Sequence, residues 1–224
     1  MPLRIEAMRQ APTLAGRSVF LAASIPEPAR WEGDFDPLEI TDAVASAARA
    51  VLTSSGTVVT AAHPTIAPLL LYLAAEFPAS DRPGVVVYQS RLFESVLPQA
   101  TRRFAEAGFG DVRWTDAVQG DIPEPGRWDQ SLLRMRETLL TETQPVAAIF
   151  IGGMGGIPEE HALFRQMLPQ RPWYAIGRPG GAARDLSRAW DGDLQAELLD
   201  GAVYPSMMRR VVADISRSLE NEQT

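Results

Sequence analysis

The sequence contains no cysteine in its 224 residues. Disulfide bonds, thiolate catalysis and cysteine-ligated metals are therefore excluded. Histidine is also scarce: only His63 and His161 occur, and two histidines are too few for a convincing zinc site. Nothing else in the sequence calls for a metal ion or another cofactor, so we expect neither.

A basic stripe and a long apolar run are also missing. The formal net charge is −7 at pH 7, and the isoelectric point is about 4.9. Nucleic-acid-binding proteins carry clustered positive charge, so nucleic acid is not expected as a partner. No apolar stretch reaches the roughly 20 residues that cross a bilayer, and residues 1–16 lack the apolar centre of a secretory signal. We therefore expect a soluble, cytoplasmic protein with no membrane partner.

Segments typical of buried strands alternate with segments typical of helices along the whole chain. Strands are predicted at 17–24, 57–61, 84–88, 111–114, 146–151 and 173–176. Helices are predicted at 37–54, with Asp36 as its N-cap, and at 66–77, 98–107, 128–142, 158–167, 185–190 and 204–220. This alternation, with no repeat and no linker, predicts a single doubly wound, Rossmann-like α/β domain with a mostly parallel sheet flanked by helices. We place the domain at residues 17–220, after an N-terminal extension at 1–16.

Ligands of such folds bind beyond the carboxyl ends of the strands, and one of these ends has an unusual sequence. At residues 146–160 an apolar run of strand length leads into a glycine-rich turn and then a helix start. Glycine has no Cβ atom, so the backbone of the turn is open to a ligand, and a helix N-terminus favours an anion. We predict contact with a phosphate or ribose here, by Gly152, Gly153, Met154, Gly155 and Gly156. Close packing without a ligand is the alternative.

A second glycine turn, at 177–183, follows the last predicted strand. Gly180 and Gly181 would supply further backbone donors, and Arg178 or Arg184 would add charge for a phosphate. The alternative is that the two glycines only allow a helix to pack closely on a strand.

Four more ligand candidates follow predicted strands. His63 and Thr65 lie at the start of a helix, where a neutral imidazole would hydrogen-bond a ligand and Thr65 would cap the helix. Arg91 follows the third strand and Ser24 ends the first, and both are placed to contact a phosphate. The alternative for His63 and Thr65 is a role in capping or packing. The alternative for Arg91 is a solvated surface arginine, and for Ser24 an ordinary serine at the end of a strand.

Arg136 and Glu159 form a candidate catalytic pair. Arg136 lies in the helix before the central strand and Glu159 begins the helix after it, so a βαβ arrangement brings both towards one edge of the sheet. The arginine would orient an anionic nucleotide, and the carboxylate would stabilise positive charge that develops on the ribose as a glycosidic bond breaks. An ordinary salt bridge is the alternative.

The segment 151–159, Ile-Gly-Gly-Met-Gly-Gly-Ile-Pro-Glu, resembles the P-G-G-x-G-T-x-x-E motif of the LOG nucleotide hydrolases. Those enzymes carry a catalytic arginine in the preceding helix, at a spacing that matches Arg136, and Glu159 falls on their catalytic glutamate. LOG enzymes and DprA-type DNA-binding proteins belong to the SLOG superfamily of Rossmann-like domains. The sequence departs from the LOG motif at Ile151 and Gly156, and only residues 61–64 remain of the glycine-rich segment after the second strand.

These departures favour another branch of the superfamily, the sensor-type SLOG domains of bacterial conflict and antiphage systems. The resemblance to that branch extends over nearly the whole domain, in the segments VFLAASIP, AAHPTIAPLL, VVVYQSRLFE, SLLRMRE, IFIGGMGGIPEE and GGAARDL. It implies a domain that binds a nucleotide-derived signal, often NAD-derived, and controls an effector such as a TIR domain. The chain leaves no room for an effector, so we expect that the effector is a separate protein or that the chain is an excised domain.

Two other functions stay open. The first is a LOG-like nucleoside 5′-monophosphate phosphoribohydrolase, an N-glycosidase that uses Arg136 and Glu159, and the second is an adaptor in which the glycine turns only pack. The resemblance also implies a homodimer or larger homo-oligomer. The predicted helix at 204–220 has an apolar stripe that suits core packing at least as well as an interface, formed by Met207, Met208, Val211, Val212 and Ile215.

Overall fold

A computed structural model describes residues 13–61, 63–77, 82–124 and 126–222. Residues 1–12 of the expected N-terminal extension therefore lie outside the described part of the chain. The strands are β1 (Ser18–Ser24), β2 (Thr57–Ala61), β3 (Val85–Ser90), β4 (Asp111–Thr115), β5 (Ala147–Gly152) and β6 (Trp173–Ile176). The helices are α1 (Pro37–Thr53), α2 (Ala67–Ala74), α3 (Gln99–Glu106), α4 (Asp129–Thr143), α5 (Gly156–Met167), α6 (Ala183–Ala189), α7 (Gln195–Asp200) and α8 (Tyr204–Asn221).

All six strands form one sheet in the order β4-β3-β2-β1-β5-β6. Every neighbouring pair is parallel, so the predicted α/β fold with a parallel sheet is confirmed. The chain builds the sheet outwards from β1 to β4 and then returns to add β5 on the other side of β1. The point where the direction reverses lies between β1 and β5, where Ser24 is paired with Gly152. Ligands of doubly wound sheets bind at such a reversal.

Helices cover both faces of the sheet because side chains alternate along each strand. On one face the odd-numbered residues of β1, such as Val19 and Leu21, join the buried side chains of α1, α2 and α8. On the other face Phe20 and Ala22 join Phe150 of β5 and the buried side chains of α4 and α5. Helices α4 and α5 therefore lie on the same face of the sheet and contact each other there, which positions the side chains of the site.

Local sequence explains most element boundaries, with several corrections. Asp36 caps α1 as predicted, since its carboxylate accepts from the N–H groups of Leu38 and Glu39. Thr65 does not cap α2 as expected: the helix begins at Ala67, and its N-cap residue makes no side-chain hydrogen bond. Helix α5 begins at Gly156, two residues earlier than predicted, and α7 and a 3-10 helix at Arg91–Val96 were not predicted.

The apolar stripe of α8 belongs to the core. Its residues contact α1 in the same buried cluster, and they are Met207, Met208, Val211, Val212 and Ile215. Core packing therefore explains the stripe, and it supplies no support for an interface. Within the described ranges, no helix is both long and apolar enough to cross a membrane.

Candidate functional site

The turn after β5 requires glycine at its first two positions. Gly152 and Gly153 have φ values of +63° and +72°, which L side chains rarely adopt. A Cβ atom on Gly152 would lie 2.7 Å from the carbonyl oxygen of Ser24, and one on Gly153 would overlap Ile157. The N–H of Gly153 donates to that same Ser24 oxygen over 2.7 Å. These two glycines therefore fix the path of the chain at the reversal point, and ligand contact by them stays a prediction.

The next residues of the turn leave the N-terminus of α5 open. A Cβ atom on Gly155 would meet nothing within 4 Å. Among the described residues, no acceptor is found for the backbone N–H groups of Met154, Gly155 and Gly156. Three such donors and the positive end of a helix dipole attract an anion. The structure thus leaves donors of the predicted glycine turn available.

The guanidinium of Arg136 lies beside these donors. It reaches from α4, and its Nη2 atom is 3.1 Å from the position that a Cβ atom of Gly156 would take. The Arg136 side chain is only 13% exposed. Its Nη1 donates to Glu159 over 3.0 Å, and its Nε donates to Glu160 over 3.0 Å. The structure therefore brings the predicted pair Arg136 and Glu159 into contact at the start of α5.

The two carboxylates that contact Arg136 have different surroundings. The side chain of Glu159 is 67% exposed, whereas that of Glu160 is 11% exposed. Burial raises the pKa of the Glu160 carboxyl, and the nearby charge and hydrogen bond of Arg136 oppose that rise. Glu160 is thus a fixed, buried partner of the arginine, while Glu159 is a solvated one.

The sequence analysis missed Glu160, although a signal was available. Ile157 and Phe164 are the buried residues of α5. Glu160 lies three residues after the first and four before the second, which puts it on the same face of the helix. A carboxylate at that position must find a partner on the neighbouring element, and Arg136 of α4 supplies it.

The second glycine turn packs directly on the first. The N–H of Ala182 donates to the carbonyl of Gly153 over 2.8 Å. Gly181 has a φ of +69°, and a Cβ atom there would lie 2.6 Å from the backbone carbon of Gly152. The N–H groups of Gly180 and Gly181 donate to Gly177 and Asp34. These N–H donors are used within the protein, and ligand contact by Gly180 and Gly181 stays a prediction.

The loop before α1 covers the second turn, which the sequence did not indicate. Phe35 forms a β-bridge with Gly180, and the N–H of Asp36 donates to Pro179 over 2.9 Å. Trp31 of this loop packs against the core cluster that includes Ile157. Its indole nitrogen is buried and makes no hydrogen bond within the described residues. The loop and the two glycine turns therefore pack together at the edge of the sheet where the strands have their carboxyl ends, which we call the carboxyl edge.

Arg178 has a partner that limits its role as a phosphate ligand. Its Nε donates to Glu39 over 3.2 Å, and the hydroxyl of Tyr204 donates to the other oxygen of Glu39 over 2.8 Å. This network ties the second turn to the starts of α1 and α8. The charge of Arg178 is therefore largely matched by Glu39.

Ser24, His63 and Thr65 lie near the reversal point. Ser24 ends β1, and its hydroxyl lies 3.1 Å from the position that a Cβ atom of Gly153 would take. His63 follows β2, the strand next to β1, and its Nδ1 lies 2.8 Å from the hydroxyl of Thr65. Burial lowers the pKa of His63 to about 4, so the imidazole is neutral at pH 7. A ligand role for each of these three residues stays a prediction.

Arg91 lies apart from the glycine turns. It follows β3, which is three strand positions from β5, a separation of about 14 Å across the sheet. Its guanidinium lies 5.7 Å from the ring centre of Trp114 and contacts Glu94 and Asp116 at 3.5 and 3.7 Å. The structure does not bring Arg91 together with Arg136, and a common ligand would have to span that gap.

Two cavities lie away from the carboxyl edge, with volumes of about 320 and 470 Å³. Neither is lined by a residue of the glycine turns. Within the described residues, no three histidine or acidic side chains gather in an arrangement that would hold a metal ion.

The fold and the glycine turn at its reversal point define a doubly wound α/β domain of the Rossmann-like class. Residues 30–212 match the SLOG cluster3 family. This match includes most of the chain, so the chain belongs to that family, as the resemblance in sequence implied. No curated protein matches the sequence.

Proposed function

We propose that this SLOG domain binds a nucleotide-derived anion, such as an NAD-derived signal, at the N-terminus of α5. In this proposal it acts as a sensor that controls a separate effector protein in a bacterial defence or signalling system. The observation that carries the proposal is the placement of Arg136 beside the N–H groups of Met154, Gly155 and Gly156. Together they offer a phosphate a guanidinium, backbone donors and a helix dipole.

Because Glu159 is exposed, a phosphate can replace its carboxylate as the partner of Arg136 at low cost. An ion pair with an exposed partner contributes only about 0–1 kcal/mol, whereas each hydrogen bond to a charged group contributes about 1.5–3 kcal/mol. Phosphate oxygens would accept from Arg136 and from the open backbone donors at once. Binding therefore gains more than the loss of the Arg136–Glu159 contact costs. Glu160 would keep the guanidinium in place while Glu159 moves aside.

A specific observation also favours the N-glycosidase as a second candidate. The carboxylate of Glu159 is solvent-accessible and 3.0 Å from Arg136, and it lies at the motif position of the LOG catalytic glutamate. In that reaction water adds across the bond between base and ribose, and the carboxylate stabilises the positive charge on the ribose. The altered motif positions Ile151 and Gly156 weigh against this candidate.

The two candidates predict opposite effects of Glu159→Gln. If Glu159 competes with the ligand for Arg136, its neutralisation should tighten binding about 3- to 10-fold. If Glu159 is catalytic, the same change should abolish base release. Arg136→Gln should weaken binding at least about 10-fold under either candidate, since it removes charge-assisted hydrogen bonds.

The experiment is incubation with nucleoside monophosphates, NAD and ADP-ribose derivatives, followed by mass spectrometry of free and bound species and by calorimetry. We expect an unchanged compound to be retained and to bind more tightly to Glu159→Gln. Glu106→Gln is the matched control, because Glu106 is an exposed carboxylate at the end of α3. Absence of binding to every compound would overturn the sensor proposal, and base release that Glu159→Gln abolishes would replace it with the glycosidase.

A further inference from the structure

A charged cavity lies at the edge of the sheet opposite the glycine turns. Its volume is about 470 Å³, within the range of small-molecule sites. It opens at the amino ends of β1, β2, β3 and β5, and its lining includes Ser18, Thr57 and Val146. The glycine turns follow the carboxyl ends of their strands, so this cavity is separate from the proposed nucleotide site.

Positive charge converges on this cavity although the chain as a whole is acidic. Among the described residues that line it, four are arginines and one is acidic, Glu142; the arginines are Arg17, Arg82, Arg113 and Arg171. The formal net charge of the chain is −7. Two of the arginines have acidic neighbours, since Arg113 contacts Asp111 and Glu142 and Arg171 contacts Glu222. An anion in the cavity would be attracted to the guanidinium groups that line it.

Two of these arginines are held in place and keep donors free. Arg113 donates from Nε to Asp111 over 2.9 Å and from Nη1 to the hydroxyl of Tyr88 over 3.0 Å. Arg171 donates from Nη1 to Glu222 over 2.6 Å. A guanidinium has five N–H donors in a fixed plane, so each retains further donors. Because both side chains are already held in place, less conformational entropy is lost when a ligand binds.

The remaining two arginines flank the start of β1. Arg82 donates to the carbonyl of Gly16 over 3.0 Å. Arg17 is exposed and has no ion pair with another described residue. Buried Val59 and Val86 belong to the sheet and line the cavity as well. An apolar wall of this kind strengthens electrostatic attraction to a bound anion.

We propose that this amino-edge cavity binds a small diphosphate-bearing anion, either free pyrophosphate or the diphosphate of a nucleotide. Arginine is suited to this chemistry because its planar fork matches two phosphate oxygens. A diphosphate carries enough oxygens to engage several of the four guanidinium groups together. The site does not depend on the proposed function of the glycine turns.

The test is titration of the full chain with pyrophosphate, monitored by calorimetry and by the shift in melting temperature. Sulfate at the same ionic strength controls for screening. The variants are Arg17→Gln, Arg82→Gln and their combination. Arg127→Gln is the matched control, an exposed arginine with its own acidic neighbour Glu124. Arg136→Gln removes the arginine of the proposed nucleotide site, so pyrophosphate binding that remains in this variant is assigned to the amino-edge cavity.

We expect saturable binding that persists in Arg136→Gln, is unchanged in Arg127→Gln and falls at least 10-fold in the double variant of Arg17 and Arg82. A comparison of pyrophosphate with ADP in the Arg136→Gln protein then distinguishes the two ligand sources, because a nucleoside contact would make ADP bind more tightly. No pyrophosphate effect beyond that of sulfate would overturn the proposal, as would an equal loss in Arg127→Gln. The arginines could instead only stabilise the carboxyl end of α4, whose residues Glu142 and Thr143 also line the cavity. In that case the substitutions would change the melting temperature but not its dependence on pyrophosphate, and this result would also overturn the proposal.

Discussion

Arg136 shows what the sequence could and could not indicate about a single side chain. Its motif spacing and the βαβ geometry predicted that it approaches Glu159, and the two side chains are 3.0 Å apart. The motif pointed to Glu159 and predicted no role for the adjacent Glu160. Their exposures, 67% and 11%, follow from how α5 packs on α4. Tertiary packing gives these two glutamates different surroundings because it buries only one of them.

The lowered pKa of His63 predicts how the stability of the protein depends on pH. Burial disfavours the imidazolium and lowers the pKa of His63 from 6.5 to about 4. Between these values the unfolded chain binds a proton and the folded chain does not, so the free energy of unfolding should decrease as the pH falls from 6.5 towards 4. The contribution of His63 is at most about 3 kcal/mol, and His63→Gln should reduce the pH dependence.

Proton NMR can follow this titration directly, because the chain has only two histidines. We expect the signal that disappears in His63→Gln to titrate near pH 4. The pKa of His161 is also lowered by burial and by the charge of Arg165, so its signal serves as an internal comparison. A titration of His63 near pH 6.5 would contradict the burial of the imidazole.

At the level of helices and strands, apolar patterning was sufficient where an element is buried and regular. The six strands were predicted within two residues of their ends, because strands covered on both faces are continuous apolar runs. Helix α7 and the 3-10 helix at Arg91–Val96 were missed. Both are only six residues long, too short for a helical repeat of apolar residues to show.

The glycine turn after β5 contains glycines that the backbone requires and a glycine that only leaves space for a ligand. Substitution by alanine should distinguish the two. A Cβ atom at Gly153 overlaps Ile157 and the φ of +72° is unfavourable, whereas a Cβ atom at Gly155 meets nothing within 4 Å. Gly153→Ala should therefore lower the free energy of unfolding by about 1–3 kcal/mol or more. Gly155→Ala should leave it nearly unchanged but weaken ligand binding, because the methyl group would stand where the ligand approaches.

Chemical denaturation and ligand titration of the two variants provide the measurement. Gly155→Ala is the informative protein, since it stays folded by this argument. Unchanged nucleotide affinity in Gly155→Ala would place the ligand elsewhere on the carboxyl edge. Equal stability of both variants would contradict the geometry of the turn.

For the molecule as a whole, the sequence predicted the layers but not the arrangement within them. Alternating strands and helices indicated a doubly wound parallel sheet, which is the observed fold. Several strand orders satisfy that alternation, and the order decides which strand ends are neighbours. It places Ser24 beside Gly152 and separates Arg91 from both. Long-range neighbours of this kind depend on packing between distant segments, which no local pattern encodes.

The oligomeric state is the corresponding test for the molecule as a whole. The resemblance to SLOG domains implies a homodimer or larger assembly, and we keep this as a prediction. The chain has a mass of 24.5 kDa, so light scattering after gel filtration should give about twice that value or more. A mass of one chain at micromolar concentration would contradict it. The measurement with and without the bound nucleotide also tests whether the ligand changes assembly.

The contact between the two glycine turns has a consequence for how this sequence can change over time. A side chain at Gly181 would meet the backbone of Gly152, and one at Gly152 would meet the backbone of Ser24. No smaller neighbouring side chain can relieve either clash, because backbone atoms are common to all residues. In a deep mutational scan both positions should tolerate glycine alone, and no second substitution at the other position should act as a suppressor.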